Sequence, residues 1–169
     1  LIFDGLKKLY NHIKKTNIVD EDTLKGKPGT GNFAMFKGIV LSSLIFIYNL
    51  DEPINLLDAW IERHFKFMHI NTGLWSKRPI VSLSSIQNSY HQYEIFDYLE
   101  KQKYLTFNWE TVAKSASICS DKKGNFSPYS GGSACYDYDS IFLMSKDQKT
   151  LKKYLKEFQK TGYLINSIN

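Results

Sequence analysis

The chain has 169 residues, of which 43% are hydrophobic and 15% aromatic, and these values exclude a disordered chain. We expect one domain over residues 1–169 with a sizeable core. The formal net charge is +5, but the lysines alternate with acidic residues, and Arg63 and Arg78 are the only arginines. Because arginine forms the forked contacts that phosphates and bases need, a nucleic-acid partner is not expected.

The most apolar stretch and the cysteines bear on location. The stretch FAMFKGIVLSSLIFIYNL contains Lys37, serines and an asparagine, so it predicts a buried helix and no membrane span. Cys119 and Cys135 form no CxxC pair, and two cysteines in a chain of this size do not indicate a disulfide scaffold. We therefore expect a cytoplasmic protein without a metal or other cofactor.

The spacing of apolar residues predicts an all-α fold with seven helices. The second of them is apolar on nearly every side, which predicts a helix that is buried all round. The seventh opens with a capping box, Ser145 to Gln148. The predicted helices cover residues 2–15, 33–49, 51 to the turn at 71, 81–101, 109 to the turn at 121, 134–144 and 145–161.

Three turns share the form Gly-x-aromatic, and their glycines lie 42 and 51 residues apart. This interval accommodates one helical hairpin, so the turns indicate a repeat of antiparallel hairpins. We expect each glycine to adopt a positive φ and each aromatic residue to be mostly buried beneath its helix pair. The turns are residues 31–33, 73–75 and 124–126, with the aromatics Phe33, Trp75 and Phe126.

Two of these turns carry a family resemblance. The segment WIERHFKFMHINTGLW resembles the helix-then-Gly-x-Trp repeat of the terpenoid-cyclase and protein-prenyltransferase α/α-toroid superfamily. The segments SYHQYEIFDYLEK and DKKGNFSPYSGGSACYDYDSIF are similar to uncharacterised bacterial proteins with such repeats. The resemblance implies a partial toroid, in which the second, fourth and sixth helices line a central cavity. Seven helices make about half of such a ring, which implies a fragment or an open arc.

The resemblance also implies a site where the fourth and sixth helices begin at the cavity mouth. Asp137-Tyr-Asp139-Ser140 partly resembles the Asp-x-Asp-Asp motif of class II terpene cyclases, with a serine in the last position. The reversed order of Cys135-x-Asp137, without a later histidine, argues against the zinc site of prenyltransferases. We expect as catalytic residues Asp137, Asp139, His91 and Tyr90. We expect as substrate-binding residues Asn88, Cys135, Gly131, Gly132 and Trp75.

Other interpretations of the same residues remain open. Carboxylates in the first turn of a helix also stabilise it through the helix dipole, by about 0.3–1 kcal/mol each. On the fourth helix, the spacing lets His91 meet either Asn88 or Glu94. Asn, His and Tyr are also residue types of toroidal polysaccharide lyases, for which Arg78 could neutralise a substrate carboxylate. His64 and His69 are expected at the surface or end of the third helix.

The sequence thus supports two functions and one statement about assembly. The first function is an enzyme that acts on a prenyl, terpenoid or glycan substrate in a central cavity. The alternative is a non-catalytic helical-repeat module that binds a protein or a glycan. The first helix begins with apolar residues, so we expect its edge, with Phe3 and Leu6, to pack against another chain or an upstream segment.

Overall fold

The computed structural model describes residues 2–27, 29–121, 124–126 and 134–160, and within these ranges the protein is all-α. The described residues contain no strand, and their single β contact is a bridge between His69 and Leu74. Eight helices occur in these ranges: α1 (Ile2–Ile13), α2 (Glu21–Leu24), α3 (Gly31–Phe46), α4 (Ile54–Phe67), α5 (Leu83–Lys101), α6 (Glu110–Ser117), α7 (Ala134–Ser145) and α8 (Gln148–Lys160).

The seven predicted helices correspond to α1 and α3 to α8, and the short α2 was not predicted. The start of α8 corrects one detail, because its first turn is capped by Asp147 and not by Ser145. The Asp147 carboxylate accepts a hydrogen bond from the backbone N–H of Thr150 at 2.9 Å. Ser145 instead ends α7 and donates its hydroxyl to the Phe142 carbonyl.

The helices α3, α5 and α7 lie side by side, with α5 in the middle. Helices α1, α2 and α4 pack on α3, while α6 and α8 pack on α7. The three neighbouring helices are the ones that the toroid resemblance assigns to the inside. Their neighbourhood brings residues of α5 close to residues of α7, and these residues form the candidate site.

The core is built around large aromatic side chains at the junction of α4 and α5. Trp60, Trp75, Tyr93 and Phe96 have no exposed surface, and the Trp75 ring lies 4.8 Å from Tyr93 and 5.8 Å from Phe96. The Trp75 indole N–H donates to the His64 carbonyl at 2.8 Å. Burial of such rings contributes about 2–3 kcal/mol each, so this cluster fixes α5 in the middle of the fold.

Two of the three Gly-x-aromatic turns have the predicted geometry. Gly73 and Gly124 adopt φ values of +69° and +82°, and the aromatics that follow them, Trp75 and Phe126, are 0% and 1% exposed. The prediction for the first turn is wrong. Gly31 is the first residue of α3, and Phe33 is 62% exposed. The described residues therefore show this turn twice and not three times.

Helix α3 is not buried all round, which corrects the prediction for the second helix. Phe36 and Ile47 are 57% and 63% exposed, and Ile39 is also exposed. Its opposite face packs closely on α5, because a side chain on Gly38 would come within 2.9 Å of Ile95. Although α3 is apolar on nearly every side, one of its faces packs on α5 and the opposite face is exposed.

Packing corrects one further prediction and bears on another. His64 is fully buried, because its ring lies 3.8 Å from the Trp60 ring and contacts the other core aromatics. Phe3 and Leu6 pack against the protein's own core, and the Phe3 ring lies 4.7 Å from Tyr48. These two residues are thus partly buried within the chain, and the packing of this edge against another chain or an upstream segment stays a prediction.

The structure also bears on the apolar stretch and on the two cysteines. No helix in the described ranges combines the length and the apolar character that crossing a bilayer would require. Cys119 and Cys135 are both free thiols. Burial raises the pKa of the Cys119 thiol to about 11, so this cysteine is a packing residue with little thiolate character.

Candidate functional site

The candidate site lies where α5 faces α7, and Glu94 is at its centre. The Tyr90 hydroxyl donates a hydrogen bond of 2.6 Å to Glu94 Oε1, and His91 Nδ1 lies 3.8 Å from Glu94 Oε2. Tyr90 lies four residues before Glu94 and His91 lies three residues before it, so the three side chains share one face of α5. The sequence left His91 open to Asn88 or Glu94, and the structure places it beside Glu94.

Asp139 reaches this cluster from α7. Its side chain is nearly covered, with 4% of the residue exposed. Burial raises the pKa of the Asp139 carboxyl to about 7, and the negative charge of Glu94 contributes in the same direction. Both the protonated and the ionised form of Asp139 are therefore accessible near neutral pH, so this residue can give a proton or take one.

The other two side chains of the cluster are held neutral. Burial raises the pKa of the Tyr90 hydroxyl, and its bond to Glu94 raises it further, so the phenol keeps its proton. Burial lowers the pKa of His91, although Glu94 partly opposes this effect. On α7, the rings of Tyr138 and Phe142 meet the Tyr90 ring edge-on, with ring centroids 5.7 and 5.2 Å from its centroid. The cluster thus joins proton-carrying groups to an aromatic wall.

Asp137 is separated from Asp139 by its role in a turn. Its Oδ1 accepts a hydrogen bond of 2.8 Å from the backbone N–H of Phe126, which ties the start of α7 to the buried Gly-x-aromatic turn. Residues two apart on a helix point in different directions. The two aspartates are therefore not a joined acid pair, and the carboxylate partner of Asp139 is Glu94.

The predicted substrate-binding residues are spread over several places. Asn88 is buried between the start of α3 and the short α2, and its side-chain amide donates to the Thr23 carbonyl of α2 at 3.1 Å. Trp75 lies in the core with no exposed surface, and Cys135 is exposed in the first turn of α7. Gly131 and Gly132 lie outside the described residues. The structure does not bring Asn88 or Trp75 to the Glu94 cluster.

An apolar groove lies between α3 and α5, and Glu94 is one of the residues that line it. Its volume is about 460 Å³, which lies within the range of small-molecule sites. Glu94 belongs both to this groove and to the cluster with Tyr90, whereas Asp139 is not among the residues that line the groove. The groove is lined by Met35, Ile39, Ser42, Ser43, Ile47, Glu94, Ile95 and Tyr98.

Glu94 and Tyr138 were not among the predicted site residues, although the sequence carried a signal for each. Glu94 follows Tyr90 by four residues and His91 by three, the spacing at which helical side chains meet. Tyr138 stands between the two aspartates and is 60% exposed on the same helix. The groove itself had no such signal, because it depends on which face of α3 remains uncovered.

The described residues contain no group of three or more His, Cys, Asp or Glu side chains arranged to hold a metal ion. Comparison of the chain with models of known protein families, with curated proteins and with solved structures gave no match. The fold and the site define an all-α protein with a partly buried acidic cluster beside an apolar groove.

Proposed function

We propose that the protein is an acid–base enzyme of the α/α-toroid type, with α3, α5 and α7 as the inner layer of an open arc. In this arrangement the groove and the Glu94 cluster lie on the inner face. The order of the helices supports the proposal, because α5 packs between α3 and α7 while the other helices pack behind them.

The substrate class follows from the lining of the groove. The lining includes apolar side chains, and neighbouring exposed residues of α3, Phe33 and Phe36, extend the apolar surface. A glycan would require more hydrogen-bonding groups than the four polar side chains of this lining, Ser42, Ser43, Glu94 and Tyr98, offer. A prenyl or terpenoid chain matches the apolar part of the lining, which is Met35, Ile39, Ile47 and Ile95.

Asp139 is the proton donor in this proposal, and the observation that carries it is the burial of this carboxyl on α7, which together with the charge of Glu94 raises its pKa. The Asp139 O–H bond breaks as a carbon–carbon double bond accepts the proton, and the carboxylate recovers a proton when the product forms. The rings of Tyr90 and Tyr138 contact each other edge-on, and aromatic rings near the acid would stabilise developing positive charge. Burial, with a smaller contribution from the Glu94 charge, keeps the protonated form of Asp139 populated near neutral pH.

The experiment uses farnesol in D₂O near neutral pH and follows deuterium incorporation by mass spectrometry. Wild type is expected to exchange deuterium into the chain, and Asp139→Asn is expected to lose this exchange by at least about 100-fold, the range for a general acid. Asp137→Asn is the matched control, because its amide oxygen still accepts the Phe126 N–H. Equal exchange by both variants would exclude Asp139 as the donor.

A non-catalytic module that binds an apolar partner is the second candidate, and the exposed rings of Phe33 and Phe36 favour it. The same experiment separates the two. If farnesol binds to wild type, and Ile39→Asp weakens this binding, but no deuterium enters the chain, the groove is a binding surface and Asp139 is a buried structural acid.

A further inference from the structure

A second groove lies between α6 and α8, on the opposite side of α7 from α5. Its volume is about 820 Å³, within the range for ligand sites and larger than the groove at Glu94. It shares no lining residue with that groove. Whatever it binds is therefore independent of the acid–base function proposed above.

The apolar part of this groove comes from three side chains. Ile118, which caps the end of α6, is 70% exposed. The rings of Tyr154 and Phe158, one turn apart on α8, are nearly parallel, with an interplanar angle of 8° and centroids 6.0 Å apart. The Tyr154 hydroxyl donates to the Gly124 carbonyl at 2.6 Å, which fixes this wall. The groove thus offers an ordered apolar floor.

Lysine ammonium groups form the rim above this floor. Lys149 and Lys153 are four residues apart on α8 and share a face, and Lys114 lies across the groove on α6. The Lys149 ammonium has no carboxylate or hydrogen-bond partner within the described residues. Lys153 pairs with the exposed Glu157 at 3.9 Å. Such an exposed pair contributes about 0–1 kcal/mol, so an anionic ligand can replace it.

Two carboxylates also line the groove, Asp121 and Glu157, so its three lysines exceed the acidic residues by one. The Asp121 carboxylate accepts hydrogen bonds from the backbone and side-chain N–H groups of Asn125, at 2.9 and 3.3 Å. Lys114 pairs with Glu110 at 2.6 Å, outside the groove lining. Lys149 and Lys153 are therefore the donors that remain for a ligand.

We propose that the groove between α6 and α8 binds a small amphiphilic anion. Its apolar chain or ring lies on Ile118, Tyr154 and Phe158, and its phosphate or carboxylate is held by Lys149 and Lys153. Both parts are needed, because exposed lysines alone bind anions weakly and an apolar floor alone does not select charge.

The test is an amide NMR titration of the full chain with hexyl phosphate, hexanol and inorganic phosphate. Hexyl phosphate is expected to shift amide signals of residues 117–118 and 149–154, and to bind at least tenfold more tightly than either of the other two probes. Equal affinity for hexanol would show that charge is not recognised. Equal affinity for inorganic phosphate would show that the apolar floor is not used.

Matched lysine variants then locate the anion. Lys149→Ser with Lys153→Ser is expected to weaken hexyl phosphate binding at least tenfold. Lys152→Ser with Lys156→Ser removes the same charge from exposed positions of α8 outside the groove, and binding should stay within twofold of wild type. Equal losses in the two double variants would overturn the proposal, because they would show attraction by net charge alone.

Vesicles of phosphatidylglycerol test whether the bound anion is a lipid headgroup in a membrane or a free small molecule. If the chain sediments with these vesicles but monomeric hexyl phosphate does not bind, α8 recognises a membrane surface and the groove is not a ligand site. Asp139→Asn is expected to bind hexyl phosphate as wild type does, so failure of the acid–base proposal and failure of this one remain distinguishable.

Discussion

Glu94 accepts a hydrogen bond of 2.6 Å from Tyr90, one turn earlier on α5, and its charge also acts on Asp139 across the interface with α7. One carboxylate thus links a phenol and a second carboxyl that belong to different helices. The same residue opens onto the apolar groove. Glu94 is therefore the residue through which the buried acid and the groove are connected.

Glu94→Gln is expected to lower the pKa of Asp139, since the negative charge that disfavours its ionisation is removed. The pKa should remain above the ordinary value, because burial is the larger cause of the shift. The measurement is a pH titration of the Asp139 side-chain carboxyl by ¹³C NMR in wild type and variant. An unchanged titration curve would show that Glu94 and Asp139 do not interact.

Asp139 also makes the free energy of unfolding depend on pH. Its pKa is about 7 in the folded protein and 3.8 ordinarily, so the folded state holds the proton more tightly. Stability from this group is complete below the unfolded pKa and is lost as the pH rises from about 4 to about 7. Asp139→Asn removes this loss, so its stability relative to wild type should grow by about 3 kcal/mol over that window.

The measurement is urea unfolding of wild type and Asp139→Asn at several pH values. Only the change in their difference with pH matters here, because the substitution itself adds a constant effect. A difference that stays flat from pH 4 to 8 would contradict the raised pKa.

The fold class could be predicted from sequence because the apolar period along each segment is local information. The buried aromatics Trp75 and Phe126 were also predictable, since a glycine with positive φ sets the turn that precedes them. Phe33 was not, because Gly31 instead starts a helix packed on Asn88, where a side chain would come within 2.4 Å of the Asn88 carbonyl. Local sequence cannot distinguish a turn glycine from a glycine required by close packing.

The candidate site could be predicted only in part. Tyr90 and His91 lie beside Glu94 on α5, and the charge of Glu94 acts on Asp139 because α5 packs against α7. Their separation from Asp137 depends on which way each side chain of α7 points, and the partner of Asp137 is a backbone N–H of a distant turn. The role of Glu94 depends on the packing of three helices, which no short sequence pattern records.

His64 adds a pH dependence of the opposite sign. Burial lowers its pKa from 6.5 to about 4, so the folded protein holds it neutral, with Nδ1 at 2.6 Å from the Trp60 carbonyl oxygen. Stability from this group is present above the unfolded pKa and is lost as the pH falls from 6.5 towards 4. His64→Phe keeps a ring in the aromatic core and removes the titration.

Relative to His64→Phe, wild type should lose about 3 kcal/mol of unfolding free energy between pH 6.5 and pH 4. Chemical denaturation at each pH measures this difference, and any constant cost of the larger ring cancels from its slope. A wild-type protein that loses no stability relative to the variant on acidification would show that His64 is accessible to protons in the fold.

Gly124 and Gly29 form a matched pair for the last prediction. Both adopt positive φ, +82° and +78°, so alanine at either position carries backbone strain of about 1 kcal/mol. A side chain on Gly29 meets no atom within 4 Å, whereas one on Gly124 would lie 1.9 Å from the Phe158 ring. Gly124→Ala must therefore displace Phe158 from the turn, and the cost should reach about 2–4 kcal/mol.

Urea unfolding of the two variants beside wild type measures this contrast. The excess cost of Gly124→Ala over Gly29→Ala reports the close contact between the turn and α8, since the strain is common to both. The substitution should also disturb the stacked pair of Tyr154 and Phe158, because Tyr154 donates to the Gly124 carbonyl. Equal costs for the two variants would show that Phe158 does not pack on Gly124.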